Sequence, residues 1–384
     1  MNNISVKGLQ RLPRESYEVA SEISHPDAVL LRSFKMHDME IPESVAAIGR
    51  AGAGVNNIPV EKMTERGVPV FNAPGANANA VKELVLAGLL MASRNIGDAM
   101  RFADGLEGSD AEISTAVESG KKNFVGSELP SKTLGVIGLG AIGVRVANAA
   151  LSLGMKVVGY DPLISVQSAW QLSSGVEKAV SVDHLFTQCD AISVHVPLLD
   201  ATRGLANAER IKMMPKGSVL VNLARGGICD DDAVLAALDS GHLHSYIIDF
   251  PTGQLLKHPK VISFPHLGAS TDEAEENCAV MVADSVREYL EDGTVRNSVN
   301  FPEAFMPRSS GSRITIANAN VPNMVGQIST ILANAGQNIA DLLNKSRGDV
   351  AYTIIDLDGE ITEETLNAIR GIDGVLTLRH LPSV

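Results

Sequence analysis

A glycine-rich turn between two apolar runs, near the middle of the chain, most constrains the fold. The run Thr133–Ile137 predicts a buried parallel strand, and the turn Gly-Leu-Gly-Ala-Ile-Gly at 138–143 follows it directly. Residues 144–153 place apolar side chains at helical spacing, and residues 156–160 predict a second strand that ends at Asp161. A strand, a glycine turn, a helix and a second strand form a βαβ unit, which places both strands in a parallel sheet.

Each glycine of this G-x-G-x-x-G turn has its own physical role. Gly138 allows a tight turn, Gly140 lets the backbone approach a pyrophosphate, and Gly143 lets the helix pack against the strand. The pyrophosphate would lie on the N–H groups at the positive end of the helix. Asp161 can accept hydrogen bonds from the adenosine ribose and would repel a 2′-phosphate. We therefore predict an NAD site, with a purely structural βαβ turn as the less favoured alternative.

Composition limits the class of protein. A chain of 384 residues predicts two to three domains, and 45% hydrophobic with 20% charged residues is ordinary for a globular protein. The net charge of −13 argues against a nucleic-acid or anionic-membrane partner, so a small anionic substrate would need a local basic pocket. The sequence has no signal-peptide pattern, no bilayer-spanning apolar stretch and no C-x-x-C spacing among its three cysteines, so we expect a cytoplasmic protein.

Strand-like and helical segments alternate along the chain and predict the α/β class. Residues 1–92 predict a small α/β unit, and 93–268 predict a doubly wound Rossmann-type sheet of about six parallel strands. Residues 269–307 predict a helix and a linker. Residues 311–384 follow a βαββαβ pattern, which is typical of a ferredoxin-like domain.

Ligands of a doubly wound sheet lie beyond the carboxyl ends of its strands, and two side chains there suit hydroxy-acid chemistry. Arg225 follows a strand in a glycine-rich turn, where its guanidinium can hold a carboxylate bidentately. His266 follows the last strand and can take a hydroxyl proton as hydride leaves the same carbon. Each alone is equally consistent with a capping or surface group, but their shared position favours catalysis. His195 also ends a strand, and we predict that it shapes the cofactor pocket instead of transferring a proton.

The ordered stretches GRAGAGVNNI, VIGLGAIG, SVHVPL, VNLARGG, IIDFP and FPHLGAST resemble the D-2-hydroxyacid dehydrogenase family, and the C-terminal βαββαβ unit resembles an ACT domain. The resemblance implies NAD-dependent oxidation of a small 2-hydroxy acid, with Arg225 binding substrate and His266 as the acid/base. It also implies that residues 1–92 and 269–307 form one flavodoxin-like α/β substrate domain, which is split in sequence around residues 93–268. The cofactor positions that the pattern and the resemblance give are Gly138, Gly140, Ala141, Ile142, Gly143, Asp161, His195, Val196, Pro197, Leu223, Ala224, Asp249, Gly268 and Ala269. No metal site is predicted.

One position departs from the family. A glutamate paired with the catalytic histidine is expected five positions after Asp249, and Gln254 stands there. A neutral amide cannot stabilise a protonated imidazole by charge, although it can orient the ring through a hydrogen bond. We count Gln254 with the catalytic residues on that basis. A shifted alignment that places another carboxylate, such as Glu273, against His266 stays open.

The resemblance also implies residues for the substrate and for an effector. Arg32 and Lys35 match positions near a substrate phosphate, and solvated surface charge is the alternative for the lysine. The full set of implied substrate contacts is Arg32, Lys35, Gly54, Val55, Asn77 and Lys121. In the ACT-like unit, Asn318, Asn320 and Asn338 match the positions that bind serine between two subunits, which suggests a homodimer or homotetramer. Asn318 and Asn323 replace a histidine and a glycine of that pattern.

Two other functions stay open at this point. The first is another D-2-hydroxyacid dehydrogenase that carries an ACT domain, because the motifs do not specify the acid. The second, which the missing glutamate suggests, is an NAD-sensing binding protein without turnover.

Overall fold

The computed structural model describes residues 4–308 and 311–383, and the chain divides into two units. The first unit comprises Met1–Ala76 and Asp272–Val384, and the second comprises Asn77–Thr271. The second unit is therefore inserted in sequence between the two parts of the first, as the central position of the glycine turn predicts. Ser309 and Ser310, which fall at the end of the predicted linker, lie outside the described residues.

The first unit begins with a small parallel sheet. Its elements before residue 77 are α1 (Val6–Leu9), β1 (Ala28–Leu31), β2 (Ala47–Arg50), α2 (Val60–Glu65) and β3 (Val70–Phe71). The strands pair in parallel in the order β1-β2-β3. They coincide with three short apolar runs of the sequence, because these side chains are buried against the surrounding helices.

The second unit is built on a larger parallel sheet. Its helices are α3 (Ala78–Ser93), α4 (Ile96–Asp104), α5 (Asp110–Gly120), α6 (Ala141–Ser152), α7 (Val166–Gln171), α8 (Val182–Gln188), α9 (Ala208–Met213) and α10 (Asp231–Asp239). Its strands are β4 (Thr133–Ile137), β5 (Lys156–Tyr160), β6 (Val176–Lys178), β7 (Ala191–Val194), β8 (Ser218–Asn222), β9 (Leu243–Ile248) and β10 (Val261–Ser263). Short 3₁₀ turns occupy Lys121–Phe124 and Leu255–Lys257.

Within the described residues this sheet has seven strands in the order β10-β9-β8-β7-β4-β5-β6. Every pair in it is parallel, which confirms the predicted Rossmann-type sheet. The strands that follow β4 are added first on one side of it (β5 and β6) and then on the other (β7 to β10). This switch point between β4 and β7 opens a crevice at the carboxyl ends of the strands. Strand β6 is additional to the six that the sequence predicts, because its three residues are half-buried or exposed and form no apolar run.

Hydrophobic clusters cover both faces of this sheet, as a parallel sheet requires. Phe186, Ile192 and Tyr246 belong to one cluster, and Val136 and Ile247 belong to the other. Cys189 and Cys229 lie in the first cluster as buried free thiols, and burial raises the pKa of each to about 12. These two cysteines are buried core residues. A thiol with so high a pKa stays protonated and unreactive.

Helix α3 belongs to the second unit, although we predicted residues up to 92 in the substrate domain. Val85 and Leu89 on this helix are buried in the same cluster as Val136. A Cβ atom at Gly88 would lie 2.9 Å from Cγ2 of Ile247, so glycine permits the close approach of α3 to β9. The boundary therefore lies at residue 77, because the helix is held by the sheet that follows it in sequence.

The C-terminal half of the first unit starts with a long helix and ends in an antiparallel sheet. Its elements are α11 (Asp272–Asp292), β11 (Ser312–Ala319), α12 (Met324–Asn334), β12 (Ile339–Arg347), β13 (Val350–Leu357), α13 (Glu363–Arg370) and β14 (Val375–Leu381). The strand order is β12-β13-β11-β14, with all pairs antiparallel. This βαββαβ arrangement is compatible with the predicted ACT-like domain.

The C-terminal sheet holds the last turn of α11 through hydrogen bonds to its carbonyl groups. Arg379 donates to the carbonyls of Tyr289 and Leu290 at 2.8 and 2.7 Å. Arg313 donates to the carbonyl of Asp292 at 3.0 Å. Helix carbonyls at a C-terminus lack intrahelical partners and carry partial negative charge, so cationic donors suit them. The C-terminal module is thereby part of the first unit, whereas the sequence predicted a module joined by a linker.

Candidate functional site

The glycine turn of the second unit has the geometry that its pattern predicts. Gly138 has φ of +89°, and a Cβ atom there would lie 2.6 Å from the carbonyl oxygen of His195. A Cβ atom at Gly143 would lie 1.8 Å from the carbonyl oxygen of Gly138. At Gly140, by contrast, a Cβ atom would meet nothing within 4 Å. The turn is therefore closed where strand and helix meet and open at the start of α6, where a pyrophosphate needs space.

Asp161 lies at the carboxyl end of β5 and holds the glycine turn. One carboxylate oxygen accepts a hydrogen bond from the backbone N–H of Leu139 at 2.8 Å, and the other accepts one from Leu163 at 2.9 Å. A carboxylate has further lone pairs beyond these two bonds, so ribose hydroxyls can still donate to it. The glycine turn, the open space at Gly140 and this acid together fit the adenosine and pyrophosphate parts of NAD.

The segment after β7 contributes His195, Val196 and Pro197 to the same edge of the sheet. The Nε2 atom of His195 lies 2.8 Å from Oγ of Ser193, and its buried Nδ1 atom has no hydrogen-bond partner in the described structure. Burial lowers the pKa of His195 to about 4. The ring is consequently neutral near pH 7, and its role in shaping the cofactor pocket stays a prediction.

Asn222, the last residue of β8, organises the turn that presents Arg225. Its side-chain oxygen accepts hydrogen bonds from the N–H groups of Ala224 at 3.2 Å and Arg225 at 3.3 Å, and its Nδ2 donates to the carbonyl of Arg225 at 2.8 Å. The side chain is fully buried. We did not predict this role, although a polar residue at the end of an apolar strand before a glycine-rich turn was a usable signal. Leu223 and Ala224 lie within the same turn.

Asp249 holds the loop that carries His266. Its carboxylate accepts hydrogen bonds from the N–H groups of Leu267 at 2.7 Å and Gly268 at 2.8 Å, and its carbonyl accepts from His266 at 3.1 Å. His266 adopts φ of +55°, a left-handed conformation that is uncommon outside glycine. Such strained residues persist only where their surroundings determine them, and here Asp249 supplies the restraint. The predicted contact of Asp249 with the nicotinamide stays a prediction, and Ala269 follows this loop.

Arg225 and His266 both contact the ring of Phe250. The guanidinium carbon of Arg225 lies 5.4 Å from the ring centroid, and the imidazole centroid lies 4.7 Å from it with a 53° angle between the planes. Both residues are exposed at the carboxyl edge of the sheet. Hydrogen bonds to their side chains are absent across the residues that the structure describes, so both polar groups are available to a ligand. The sequence reasoning placed these two residues together but missed Phe250.

Gln254, at the position expected for the family glutamate, contacts helix α10. Its amide nitrogen lies 3.4 Å from a carboxylate oxygen of Asp232, near the start of α10. The neighbouring Thr252 donates to Asp231 at 3.1 Å, so the segment faces that helix. In residues 4–308 and 311–383 no hydrogen bond joins Gln254 to His266. Because the amide carries two N–H groups, orientation of the His266 ring by Gln254 stays a prediction.

The predicted substrate residues fall in both units. Arg32 forms an ion pair with Glu275 of α11 at 2.5 Å, Lys35 is exposed on the loop after β1, and Gly54 and Val55 lie in the loop after β2. In the second unit, Asn77 precedes α3 and Lys121 pairs with Glu118 at the end of α5. A phosphate that binds Arg32 must therefore compete with a carboxylate.

The predicted effector residues are mostly engaged within the C-terminal module. Asn320 donates to the carbonyl of Gly348 at 3.0 Å, and Asn338 donates to Asp358. Asn318 is 1% exposed and donates to the carbonyl of Ala319 at 2.7 Å. Its buried side-chain oxygen has no hydrogen-bond partner in the described residues.

Within residues 4–308 and 311–383, no group of three or more His, Cys, Asp or Glu side chains is arranged to hold a metal ion. No helix in these residues combines the length and the apolar character needed to cross a membrane.

Comparisons with known proteins indicate the family to which this chain is similar. The family model described as "D-isomer specific 2-hydroxyacid dehydrogenase, NAD binding domain" matches residues 86–268. D-3-phosphoglycerate dehydrogenase of Haemophilus influenzae is 33% identical over 356 residues, which cover 89% of this chain and 83% of that protein. The enzyme of the same name from Methanocaldococcus jannaschii is 38% identical over 294 residues, covering 74% of this chain and 54% of its own longer chain.

Solved structures that are similar to this chain are also dehydrogenases. The NAD⁺-bound 3-phosphoglycerate dehydrogenase of Entamoeba histolytica has 30% identity and a TM-score of 0.55, over 73% of this chain and 83% of that one. The apo form of D-mandelate dehydrogenase from Rhodotorula graminis has 28% identity and a TM-score of 0.61, over 70% of this chain and 78% of that one. Together with the parallel sheet and its glycine turn, these matches define an NAD-dependent dehydrogenase. The chain belongs to the D-isomer-specific 2-hydroxyacid dehydrogenase family.

Proposed function

We propose that this chain oxidises 3-phospho-D-glycerate to 3-phosphohydroxypyruvate, the first step of phosphorylated serine biosynthesis. The observation that carries this proposal is the name shared by the relatives that match most of the chain. The D-3-phosphoglycerate dehydrogenases of Haemophilus influenzae and Escherichia coli are each 33% identical over 356 residues, covering 83% and 82% of those enzymes.

In this proposal Arg225 binds the substrate carboxylate and His266 takes the proton of the C2 hydroxyl. A guanidinium suits the first role because it forms two parallel hydrogen bonds to a carboxylate and polarises the adjacent carbon–oxygen bond. A neutral imidazole nitrogen suits the second role because it accepts a proton at moderate pH. NAD, when bound, supplies the acceptor for the hydride that leaves C2. Asn222 and Asp249 hydrogen-bond to the backbone of the two turns, which keeps the side chains of Arg225 and His266 at the sheet edge.

We assign the substrate phosphate to Arg32, with Lys35 as a second cation. The loop after β1 brings both to the surface of the first unit, and the overall charge of −13 makes a local cationic site necessary for an anionic substrate. Glu275 would exchange its ion pair with Arg32 for solvent when a phosphate binds.

The test is a spectrophotometric assay of NADH oxidation with 3-phosphohydroxypyruvate, pyruvate and 2-oxoglutarate. We expect kcat/KM for 3-phosphohydroxypyruvate to exceed the others by at least about tenfold, because only this substrate offers a phosphate to Arg32. A preference for pyruvate or 2-oxoglutarate would identify a different hydroxy-acid dehydrogenase. Turnover that survives both Arg225→Gln and His266→Gln would refute the assigned roles.

We also propose that serine binds the C-terminal module near Asn318 and inhibits the enzyme. The buried, unpartnered oxygen of Asn318 supports this, since an ammonium group is the donor that such an acceptor lacks. Calorimetry with serine should show saturable heat in the native protein and none in Asn318→Leu, with alanine as the control ligand. Absence of both heat and inhibition would reject this regulation.

A further inference from the structure

Phe250 lies within the IIDFP stretch, but the sequence analysis assigned it no role. It follows β9, and β9 lies between β8 and β10 in the sheet. Arg225 follows β8, and His266 follows β10. A residue at the end of the middle strand is therefore the natural bridge between side chains that leave the two flanking strands.

The contacts match this placement. The Phe250 ring lies 5.4 Å from the guanidinium carbon of Arg225 and 4.7 Å from the centre of the His266 ring. A guanidinium over an aromatic face is attracted by the ring quadrupole, and tilted ring pairs at such distances are also favourable. The ring itself is half-buried and packs against the hydrophobic cluster on one face of the sheet. It is therefore anchored on one side and touches both polar groups on the other.

Other side-chain restraints on these two groups are missing from the described part of the chain. Asn222 and Asp249 hold the backbone of the two turns, but their bonds end at backbone atoms. Gln254, at the position of the expected glutamate, is bonded to Asp232. The orientation of the guanidinium and of the imidazole is thus left to the Phe250 ring.

We propose that Phe250 is a positioning residue that orients both Arg225 and His266 for catalysis, in the absence of a carboxylate partner for the histidine. This inference rests on the roles assigned above to Arg225 and His266. Small displacements of reacting groups reduce rates steeply, so loss of the ring should act on kcat more than on cofactor binding. Its contribution is geometric, because a hydrocarbon ring neither donates nor accepts the transferred proton.

The test compares Phe250→Leu with Phe250→Tyr in the full-length protein. Leucine keeps the apolar anchor but removes the aromatic face, whereas tyrosine keeps the face. We expect kcat with the best substrate of the panel to fall about tenfold to hundredfold in Phe250→Leu and to stay within about threefold in Phe250→Tyr. The Kd for NADH, measured by fluorescence, should change in neither variant. Equal losses in both variants, an unchanged kcat in Phe250→Leu, or a weakened NADH complex would overturn the proposal.

A double-mutant cycle separates this proposal from the assigned roles. Because Phe250 acts through Arg225 and His266, Phe250→Leu should cost much less in a His266→Gln background than in the native enzyme. Additive losses would contradict positioning. If His266→Gln and Arg225→Gln are themselves fully active, the assigned roles fail, and that outcome differs from a failure of Phe250 alone.

Discussion

Burial gives two histidines at the same sheet edge different chemistry. The ring of His195 has a buried Nδ1 atom, and its Nε2 atom lies 2.8 Å from Oγ of Ser193. His266 is exposed, in a left-handed backbone conformation that Asp249 stabilises. The sequence places each histidine just after a strand, so it cannot distinguish them by position. The distinction comes from how deeply each ring is enclosed by neighbouring elements.

The low pKa of His195 predicts an acid-dependent loss of stability. Its folded pKa of about 4 lies below the ordinary value of 6.5, so the unfolded chain binds a proton first as the pH falls. The stability that the neutral ring provides is complete above pH 6.5 and is lost toward pH 4. Between pH 7 and pH 5, the native protein should lose about 2 kcal/mol more unfolding free energy than His195→Gln. Urea unfolding at both pH values measures this difference, and parallel curves for the two proteins would contradict it.

The ion pair between Arg32 and Glu275 predicts opposite effects of two substitutions. Arg32→Ala should raise KM for 3-phosphohydroxypyruvate by about tenfold or more and leave KM for unphosphorylated 2-oxo acids nearly unchanged. Glu275→Gln removes the competing carboxylate, so KM for the phosphorylated substrate should fall. Steady-state kinetics measures the change in KM for the phosphorylated and for the unphosphorylated substrates. Equal changes for phosphorylated and unphosphorylated substrates would refute a phosphate role for Arg32.

The sequence predicts an individual strand or helix best where its side chains are buried along its whole length. Strand β4 matches the predicted bounds Thr133–Ile137 because a parallel strand covered on both faces appears as a continuous apolar run. Helix α5 has no such run, although Ser109 and Glu112 form a capping box whose spacing is visible in the sequence. The polar composition of that segment concealed the helix, because few of its side chains are buried.

The glycine turn before α6 supports a matched pair of substitutions. Gly138→Ala should lower the unfolding free energy by about 1–3 kcal/mol, because φ is positive and the new Cβ would meet the His195 carbonyl. Gly140→Ala should leave stability within about 0.5 kcal/mol, since its Cβ points into open space.

Their effects on NADH should differ from their effects on stability. Gly140→Ala should weaken NADH binding by at least about tenfold, because the methyl group occupies the space needed by the pyrophosphate. Denaturant unfolding and fluorescence titration of NADH measure the two quantities. Unchanged NADH affinity in Gly140→Ala would place the pyrophosphate elsewhere.

Across the whole first unit, the C-terminal module and α11 form one packed body. Tyr289 on α11, Phe301 after it and Tyr352 on β13 share a hydrophobic cluster with Phe71 on β3. Arg313 is fully buried, forms two hydrogen bonds with the carboxylate of Asp356 at 2.6 and 2.8 Å, and also reaches the last turn of α11. The proposed effector would therefore bind within the same packed unit that carries Arg32.

The buried ion pair provides the test of this packing. Arg313→Ala leaves Asp356 buried without its partner and should lower the unfolding free energy by about 3–5 kcal/mol. The double variant Arg313→Met with Asp356→Leu is the control, because it removes both charges and should recover most of that loss. Unfolding in guanidinium chloride measures the free energies of the native protein, Arg313→Ala and the double variant. A loss below about 1 kcal/mol in Arg313→Ala would show that the module is not held through this pair.

The sequence alone determined the class of fold, the cofactor turn and the two polar side chains at the sheet edge. It could do so because a βαβ turn is a local feature, whose glycine spacing, strand and terminal acid follow one another within thirty residues. Tertiary structure decided the contacts of Phe250 and Gln254. Their partners belong to other turns or to a helix, and no spacing along the chain encodes such contacts. The glycine turn marks the NAD site, and the contacts among neighbouring strand ends complete the proposed catalytic arrangement.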